Sequence, residues 1–442
     1  MARRLFGTDG VRGVAGEQLS AELMLGLGRA AVHQTRAQRP QVLVIRDTRE
    51  SGEMLEAALA AGVAAAGGDV LLGGVLPTPA APMLLRSHGL DLAAVLSASH
   101  NPYRDNGVKF FAADGFKLSD EAELAIELEL EREPELAADG PERTIGRVRP
   151  MPNTEVDYLS GLHARFENLR LDGLDVLLDC AHGATHRVAP EIFRRLGARV
   201  STIAAAPDGR NINEGCGSTH LDALATRVVA GAHALGFAFD GDGDRVLAVD
   251  RTGAVVDGDE LLAIAAIHLH RAGRLRGGGV AVTVMTNFGF HAAMAQAEIL
   301  VATTRVGDRF VLEELRGRDW ALGGEQSGHL IDMDFNGSGD GIASALLTLE
   351  ALQGRDLADR DAMDKLPQRL VNVPVRDRDA LDRSPGVGEA IRGEQARLQG
   401  RGRVLVRPSG TEALVRVMVE APSGEEADAV CGRLVELVRR EL

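Results

Sequence analysis

The 442-residue chain is short of several things, and each shortage removes a class of function. Aromatic residues make up only 3% of it, with one Trp and two Tyr. Stacking platforms for single-stranded nucleic acid need more than that. Cysteine occurs three times, as Cys180, Cys216 and Cys431, far apart and with no C-x-x-C pair. That pattern builds neither a disulfide framework nor a zinc site, and reads as thiols kept in a reducing compartment. Positive charge is in deficit: 49 Lys and Arg face 64 Asp and Glu, a net charge of −15. Nucleic acid or an anionic membrane asks for the opposite sign. An anionic metabolite remains open to such a chain if its Lys and Arg gather locally. No apolar run approaches the roughly 20 residues that span a bilayer. The longest, between Glu56 and Asp69, is rich in Ala and Gly and suits a buried helix. The opening MARRLFGTDGVRG lacks the apolar stretch of a signal peptide. The expectation is a cytoplasmic protein with no nucleic-acid and no membrane partner.

What the chain does have is an ordinary globular balance, 45% apolar and 26% charged residues. Its length exceeds one core and predicts three or four domains. One layout recurs three times: a β-rich run, a polar or Gly loop, a helical segment and a second apolar run. The copies start at Val42–Asp47, Asp175–Cys180 and Val280–Asn287. Strand–helix–strand alternation predicts α/β units with mostly parallel sheets. The tail, with strands VLVR and LVRVMVE and a final helix, reads as a small α+β domain. Boundaries are expected at 1–150, 151–255, 256–368 and 369–442, with a Pro- and Gly-rich linker over Pro134–Pro152. Ser119 is expected to cap a helix running to Glu133, whose many carboxylates read as a solvated face.

Five loops carry chemistry. In Phe237–Arg245, FAFDGDGDR, an apolar run delivers Asp240, Asp242 and Asp244 at alternate positions, with Gly between them. Three converging carboxylates repel one another unless a cation sits among them, and hard oxygen donors suit Mg²⁺, Ca²⁺ or Mn²⁺. An EF-hand is excluded, because its sixth position would be Arg245 and its twelfth Arg251. In Leu96–Pro102, LSASHNP, a strand ends on Ser99 beside His100; the same letters also make a plain turn. No G-x-S-x-G elbow surrounds it. In Arg407–Glu412, RPSGTE, the hydroxyls of Ser409 and Thr411, Gly410 and successive N–H groups suit an anion nest, with Arg407 and Arg416 as bidentate partners. A simple hairpin turn is the alternative there. In Gly323–His329, GGEQSGH, Glu325, Ser327 and His329 suit sugar hydroxyls, or a polar surface loop. Gly7–Gly13, GTDGVRG, adds Arg12 on a Gly-rich turn that is not a P-loop.

Taken in their order along the chain, and spread over the whole of it, the five segments resemble the α-D-phosphohexomutases. SASHNP is similar to that family's phosphoserine loop, DGDGDR to its metal loop, GEQSGH to its sugar loop and RPSGTE to its phosphate loop. FGTDGVRG, GEQSGH and Val306–Gly307–Asp308–Arg309 resemble the family's amino-sugar branch. One departure is Ala413, where the family usually has Pro. The resemblance implies three related α/β domains with mixed sheets, plus a smaller α+β C-terminal domain, around a central cleft. It implies a phosphoryl group carried on Ser99, rather than Ser97, and one Mg²⁺ held by Asp240, Asp242, Asp244 and a phosphoserine oxygen. It places Arg12, His100, Lys109 and Arg245 around the transferred group, with Lys109 first and His100 second as proton acceptor. The sugar would meet Glu325, Ser327 and His329, and its phosphate Arg407, Ser409, Gly410, Thr411 and Arg416. A hexose or hexosamine 1,6-bisphosphate would be intermediate and priming agent, and a homodimer is an expectation by analogy. The rival readings are the same chemistry on glucose or mannose phosphates, a phosphatase using the same serine, and a sugar-phosphate sensor without catalysis.

Overall fold

The computed structural model describes residues 5–7, 9–131, 145–408 and 413–442. The chain divides into two compact units, Met1–Met285 with Ile299–Arg360, and Thr286–Glu298 with Asp361–Leu442. The first unit holds three mixed sheets. Strands β1 (Val11–Val14), β2 (Gln41–Arg46), β3 (Asp69–Val75), β4 (Leu92–Leu96), β5 (Asp105–Ala112) and β6 (Val148–Pro150) form one, in the order β1-β5-β4-β2-β3-β6. Strands β7 (Asp175–Asp179), β8 (Arg199–Ile203), β9 (Leu235–Phe239), β10 (Val246–Asp250) and β11 (Val255–Val256) form the next, in the order β11-β10-β9-β7-β8. Strands β12 (Gly279–Thr283), β13 (Leu300–Thr304), β14 (Leu322–Gly324) and β15 (Leu330–Asp332) form the third, in the order β13-β12-β14-β15.

The three sheets share one core. A first strand pairs in parallel with a second on one side and a third on the other, and the third pairs antiparallel with a fourth. The threefold layout read from the sequence is therefore real. Each sheet also places a hairpin loop at the carboxyl end of its third strand: β4 to β5, β9 to β10 and β14 to β15. Open α/β sheets bind ligands at the carboxyl ends of their strands. These three hairpins carry Ser99, the Asp loop and the Glu325–His329 segment.

Two helices of the first sheet, Ala21–Val32 and Gly52–Ala65, cross at very short range. A Cβ on Gly62 would lie 2.0 Å from the Leu25 carbonyl oxygen, and one on Gly28 2.4 Å from that of Leu59. The Ala- and Gly-rich run between Glu56 and Asp69 is thus explained by backbone contact, with Leu55, Leu59 and Val63 fully buried beside it.

The second unit carries the antiparallel sheet β16 (Gln368–Pro374), β17 (Arg403–Pro408) and β18 (Leu414–Glu420), in the order β16-β18-β17. Val373, Val415, Val417 and Val419 alternate inward against Val430 and Leu434 of the helix Gly424–Glu441. The boundary expected between residues 368 and 369 falls at the start of β16.

The helix expected in the third copy is present, while the readings of the Ser119 helix and of the linker need correction. The helix between β12 and β13 in sequence, Phe288–Gln296, belongs to the second unit. There the Phe288 N–H donates to Glu420 Oε2 at 2.9 Å and Asn287 Nδ2 to the Leu366 carbonyl at 3.0 Å. The helix capped by Ser119 exists, over Asp120–Leu130, but its carboxylates are not merely solvated. Glu127 accepts from the Leu5 and Phe6 N–H groups at 2.7 Å each, and Glu123 takes Arg309 Nη2 at 2.9 Å. Asp120 pairs with the same guanidinium. Those partners lie more than a hundred positions away in sequence, beyond the reach of a local reading. The expected linker over Pro134–Pro152 lies partly outside the described residues, and its end forms β6, parallel to β3.

Candidate active site

The second sheet's hairpin turns within six residues. The loop is forced tight by close backbone contact: a Cβ on Gly241 would lie 2.6 Å from the Ser99 carbonyl oxygen. Asp240, Asp242 and Asp244 converge so that one oxygen from each lies within 4.8 Å of the others. All three carboxylates are buried, at 0, 1 and 4% exposure. Neighbouring elements hold the loop. Thr78 donates its N–H to the Asp242 carbonyl and its hydroxyl to Asp242 Oδ2 at 2.7 Å. The Gly341 N–H, at the start of the helix Gly341–Leu352, donates to the Gly243 carbonyl at 3.0 Å.

Ser99 stands directly opposite. Its Oγ donates to Asp240 Oδ2 at 2.5 Å and lies 3.2 Å from His100 Nδ1. Its φ of +52° is in the left-handed region, unusual for a residue with a side chain. Lys109, on β5, is 1% exposed and lies among Asp242 Oδ2 at 3.0 Å, Asp9 Oδ2 at 3.0 Å and Asp244 Oδ2 at 3.4 Å. Asp9 is shared with Arg12 and Lys117, and Lys117 reaches on to Asp308. His329 sits between Asp244 Oδ1 at 3.6 Å and Asp308 Oδ2 at 3.7 Å. The third hairpin is closed by Gly328, whose N–H returns to the Glu325 carbonyl at 2.9 Å. Glu325 Oε1 accepts the Gly307 N–H at 3.1 Å, and Ser327 is half-buried at the tip. A cavity of about 270 Å³ opens here, lined among others by Lys117, Ser119, Asp308, Arg316 and His329.

The charges explain the proton affinities. Burial, then repulsion from Asp244 and Asp242, pushes the Asp240 carboxyl well above the usual range. Burial alone would lower Lys109, but Asp242, Asp9 and Asp244 outweigh it and hold the ammonium well above its ordinary value. Burial followed by Arg245 and Arg12 pushes His100 down, toward the neutral imidazole. Burial also opposes the charged form of His329, yet Asp244 and Asp308 raise it. Asp242 Oδ1 and Asp244 Oδ1 are buried and accept no hydrogen bond. Two buried carboxylate oxygens without a hydrogen-bond donor, beside a carboxyl that resists ionising, suit a hard cation, and an all-oxygen donor set fits Mg²⁺.

In the second unit Arg407 and Arg416 are directly opposed across β17 and β18. Like charges in register destabilise a strand pair. Burial and then Arg416 lower the Arg407 guanidinium, and Arg416 Nε is buried without a hydrogen-bond partner. Such a pair fits an anion. Ser409, Gly410 and Thr411 lie outside the described residues.

Comparison with known proteins agrees with this arrangement. The sequence models of phosphoglucomutase/phosphomannomutase α/β/α domains I, II and III match residues 3–137, 156–253 and 257–370, and that of the C-terminal domain matches 370–437. The chain belongs to the phosphoglucomutase/phosphomannomutase family. Two curated relatives, the phosphoglucosamine mutases of Moorella thermoacetica and Streptomyces avermitilis, are each 50% identical. The alignments cover 98% of both chains in the first case and 99% of both in the second. Among solved structures, a phosphoglucomutase/phosphomannomutase family protein of Burkholderia thailandensis superposes with a TM-score of 0.80 at 24% identity, over 99% of this chain and 96% of the other. N-acetylphosphoglucosamine mutase of Aspergillus fumigatus, solved with GlcNAc-6P and magnesium, gives 0.70 at 19%, over 99% and 96%. Among the described residues no helix is long and apolar enough to cross a membrane.

Sequence reasoning missed several residues that the structure packs around this candidate site. Asp9 and Lys117 extend the chain of alternating charges around Lys109. Asp47, Arg49 and Asn213 hold the Ser99 loop, and Thr78 holds the Asp loop. The one local signal was Asp47–Thr48–Arg49, three polar residues at the carboxyl end of the buried strand β2. Thr78 and Asn213 had none.

Proposed function

We propose that the protein is a phosphoglucosamine mutase, interconverting glucosamine 6-phosphate and glucosamine 1-phosphate. The observation that carries the reading is the Ser99 hydroxyl, donating at 2.5 Å into the buried carboxylate cluster. A sensor of sugar phosphates needs no such nucleophile. The full-length relatives at 50% identity support glucosamine as the sugar.

In the resting state Ser99 carries a phosphoryl group. Asp240, Asp242 and Asp244, with one phosphoserine oxygen, would hold Mg²⁺, which neutralises charge at the phosphoryl oxygens when bound. Arg407 and Arg416, with Ser409, Gly410 and Thr411, take the substrate's phosphate bidentately. Glu325, Ser327 and His329 take sugar hydroxyls. The sugar 1-hydroxyl attacks the phosphorus on Ser99: an O1–P bond forms, the P–Oγ bond breaks, and the hydroxyl proton passes to the Ser99 oxygen by way of a base. The product, a 1,6-bisphosphate, turns over. Ser99 Oγ then attacks the 6-phosphoryl group, its proton passing to the departing 6-oxygen. Phospho-Ser99 and the 1-phosphate result. Lys109, buried within 3.4 Å of carboxylate oxygens of Asp9, Asp242 and Asp244, serves as the cation on the transferred group, beside Arg12 and Arg245. His100, neutral and 3.2 Å from Ser99 Oγ, is assigned the proton. This assignment departs from the order read from sequence, which put Lys109 first.

The test compares turnover on the 6-phosphates of glucosamine, glucose and mannose, primed with glucose 1,6-bisphosphate, in the parent and in Ser99→Ala. Expected are preference for glucosamine 6-phosphate and loss of turnover in the folded variant. Retained turnover in Ser99→Ala refutes the covalent path, and preference for glucose or mannose refutes the sugar.

A further inference from the structure

Arg49 is a long cation turned wholly inward, at 1% exposure. Its Nε donates to Asp47 Oδ2 at 2.8 Å, a carboxylate equally buried. The rest of the guanidinium serves main-chain carbonyls, and all of them belong to one loop. Nη2 donates to Ser99 O at 3.0 Å and Asn101 O at 2.9 Å, and Nη1 to Asp105 O at 2.8 Å and to Pro102 O. A second clamp comes from the neighbouring sheet's connections. Asn213 Nδ2 donates to Ser99 O at 2.9 Å and to Asn101 O at 3.0 Å. Asp47 completes the hold through Ser97, whose hydroxyl donates to Asp47 Oδ2 at 2.6 Å and accepts the Ser99 N–H at 2.9 Å. Both main-chain polar groups of Ser99 are thereby committed. This holds the left-handed φ of +52°, a conformation that a residue bearing a side chain adopts only under constraint. None of these contacts uses Oγ, which stays aimed at Asp240.

We infer that Arg49 is a positioning residue for phosphoryl transfer, with Asn213 as its counterpart: together they fix the Ser99 backbone so that Oγ occupies one place in both half-reactions. The inference rests on the mutase reading above. A carrier that gives a phosphoryl group to one sugar oxygen and regains it from another must return each time to the same position against the Asp loop. A misplacement of about 1 Å costs roughly 100-fold in rate.

Arg49→Lys keeps a positive charge beside Asp47 but replaces the planar fork by a single point of donation, so the carbonyls of the loop lose most of their donors. Asn213→Ala removes the second clamp and leaves Arg49 in place. With glucosamine 6-phosphate, magnesium and glucose 1,6-bisphosphate, kcat should fall about 100-fold in Arg49→Lys and about 10-fold in Asn213→Ala, with KM within about twofold of the parent. In protein first freed of any phosphoryl group on Ser99, the rate at which glucose 1,6-bisphosphate labels Ser99, followed by mass spectrometry of the intact protein, should fall by the same factors. Parental kcat and labelling in the folded variants overturn the inference, as does a loss carried by KM alone. If circular dichroism shows that Arg49→Lys does not fold, Asn213→Ala decides by itself. A parent that labels at Ser99 but converts glucose phosphate instead of glucosamine phosphate overturns the sugar and leaves the labelling comparison in force. A parent that never labels overturns both.

Discussion

Replacing Asp340 by Asn should make the protein more stable at pH 8, and the advantage should shrink as the pH falls. Asp340 is 3% exposed and caps the helix Gly341–Leu352 by accepting the Ala343 N–H at 2.9 Å. Its other partner is Tyr158, whose hydroxyl lies 3.0 Å from each carboxylate oxygen. Burial raises the carboxyl from 3.8 to about 6, against the pull of the Ala343 N–H and Tyr158. The folded state therefore binds this proton more tightly than the unfolded chain does. The stabilisation is fully present below the unfolded value and is lost as pH rises through about 6. At pH 8 the folded protein holds a buried carboxylate, and a shift of about two units at 1.36 kcal/mol each amounts to about 3 kcal/mol. Asn has no charge to bury, is as good an N-cap as Asp, and can still meet the Tyr158 hydroxyl. Relaxation around the site makes about 1–3 kcal/mol a realistic gain, or a rise in Tm of several degrees for units of this size. Calorimetry of both proteins at pH 8 and pH 5 provides the assay, since linkage predicts that the advantage falls by about half between them. An Asn variant that is less stable at pH 8, or whose advantage is the same at both values, would refute the burial argument.

The metal reading makes a prediction of its own. Chelation should abolish turnover and magnesium should restore it, and Asp242→Asn should raise the magnesium concentration for half-maximal activity by about tenfold or more; activity indifferent to chelator counts against the carboxylate cluster. The glycines offer a matched pair. Gly62→Ala should destabilise by about 1–3 kcal/mol, because its Cβ would meet the Leu25 carbonyl at 2.0 Å. Gly432→Ala, on the helix Gly424–Glu441 with nothing within 4 Å of the new Cβ, should stabilise by about 0.5–1 kcal/mol. Thermal melts of the two variants check both signs.

The sequence made the short-range parts of this protein legible. Asp240, Asp242 and Asp244 sit in one hexapeptide, so their convergence follows from a tight turn. Ser99 could be singled out because it shares its loop with His100 and stands at the end of a buried strand. The parallel strand pairs were readable because each copy spells its strands within a few dozen residues. The chain hides what depends on distant partners. Thr78 meets Asp242 across 164 positions and Asn213 meets Ser99 across 114. Glu123 looked solvated because Arg309, which buries it, comes 186 positions later. The three carboxylates around Lys109 come from two separate loops, which no local reading brings together.

The shared position of the three hairpins bears on how such an enzyme changes. With the roles proposed above, nucleophile, cation cradle and sugar receptor occupy the same joint of three copies of one frame, so each reagent can be altered as a cassette. Grafting the Glu325–His329 hairpin of a relative with another sugar preference leaves the Asp loop on its own strands and the Ser99 loop on its own. Selectivity can then drift while phosphoryl chemistry stays under constraint, which gives one scaffold the means to serve glucose, mannose and glucosamine phosphates without rebuilding its catalyst.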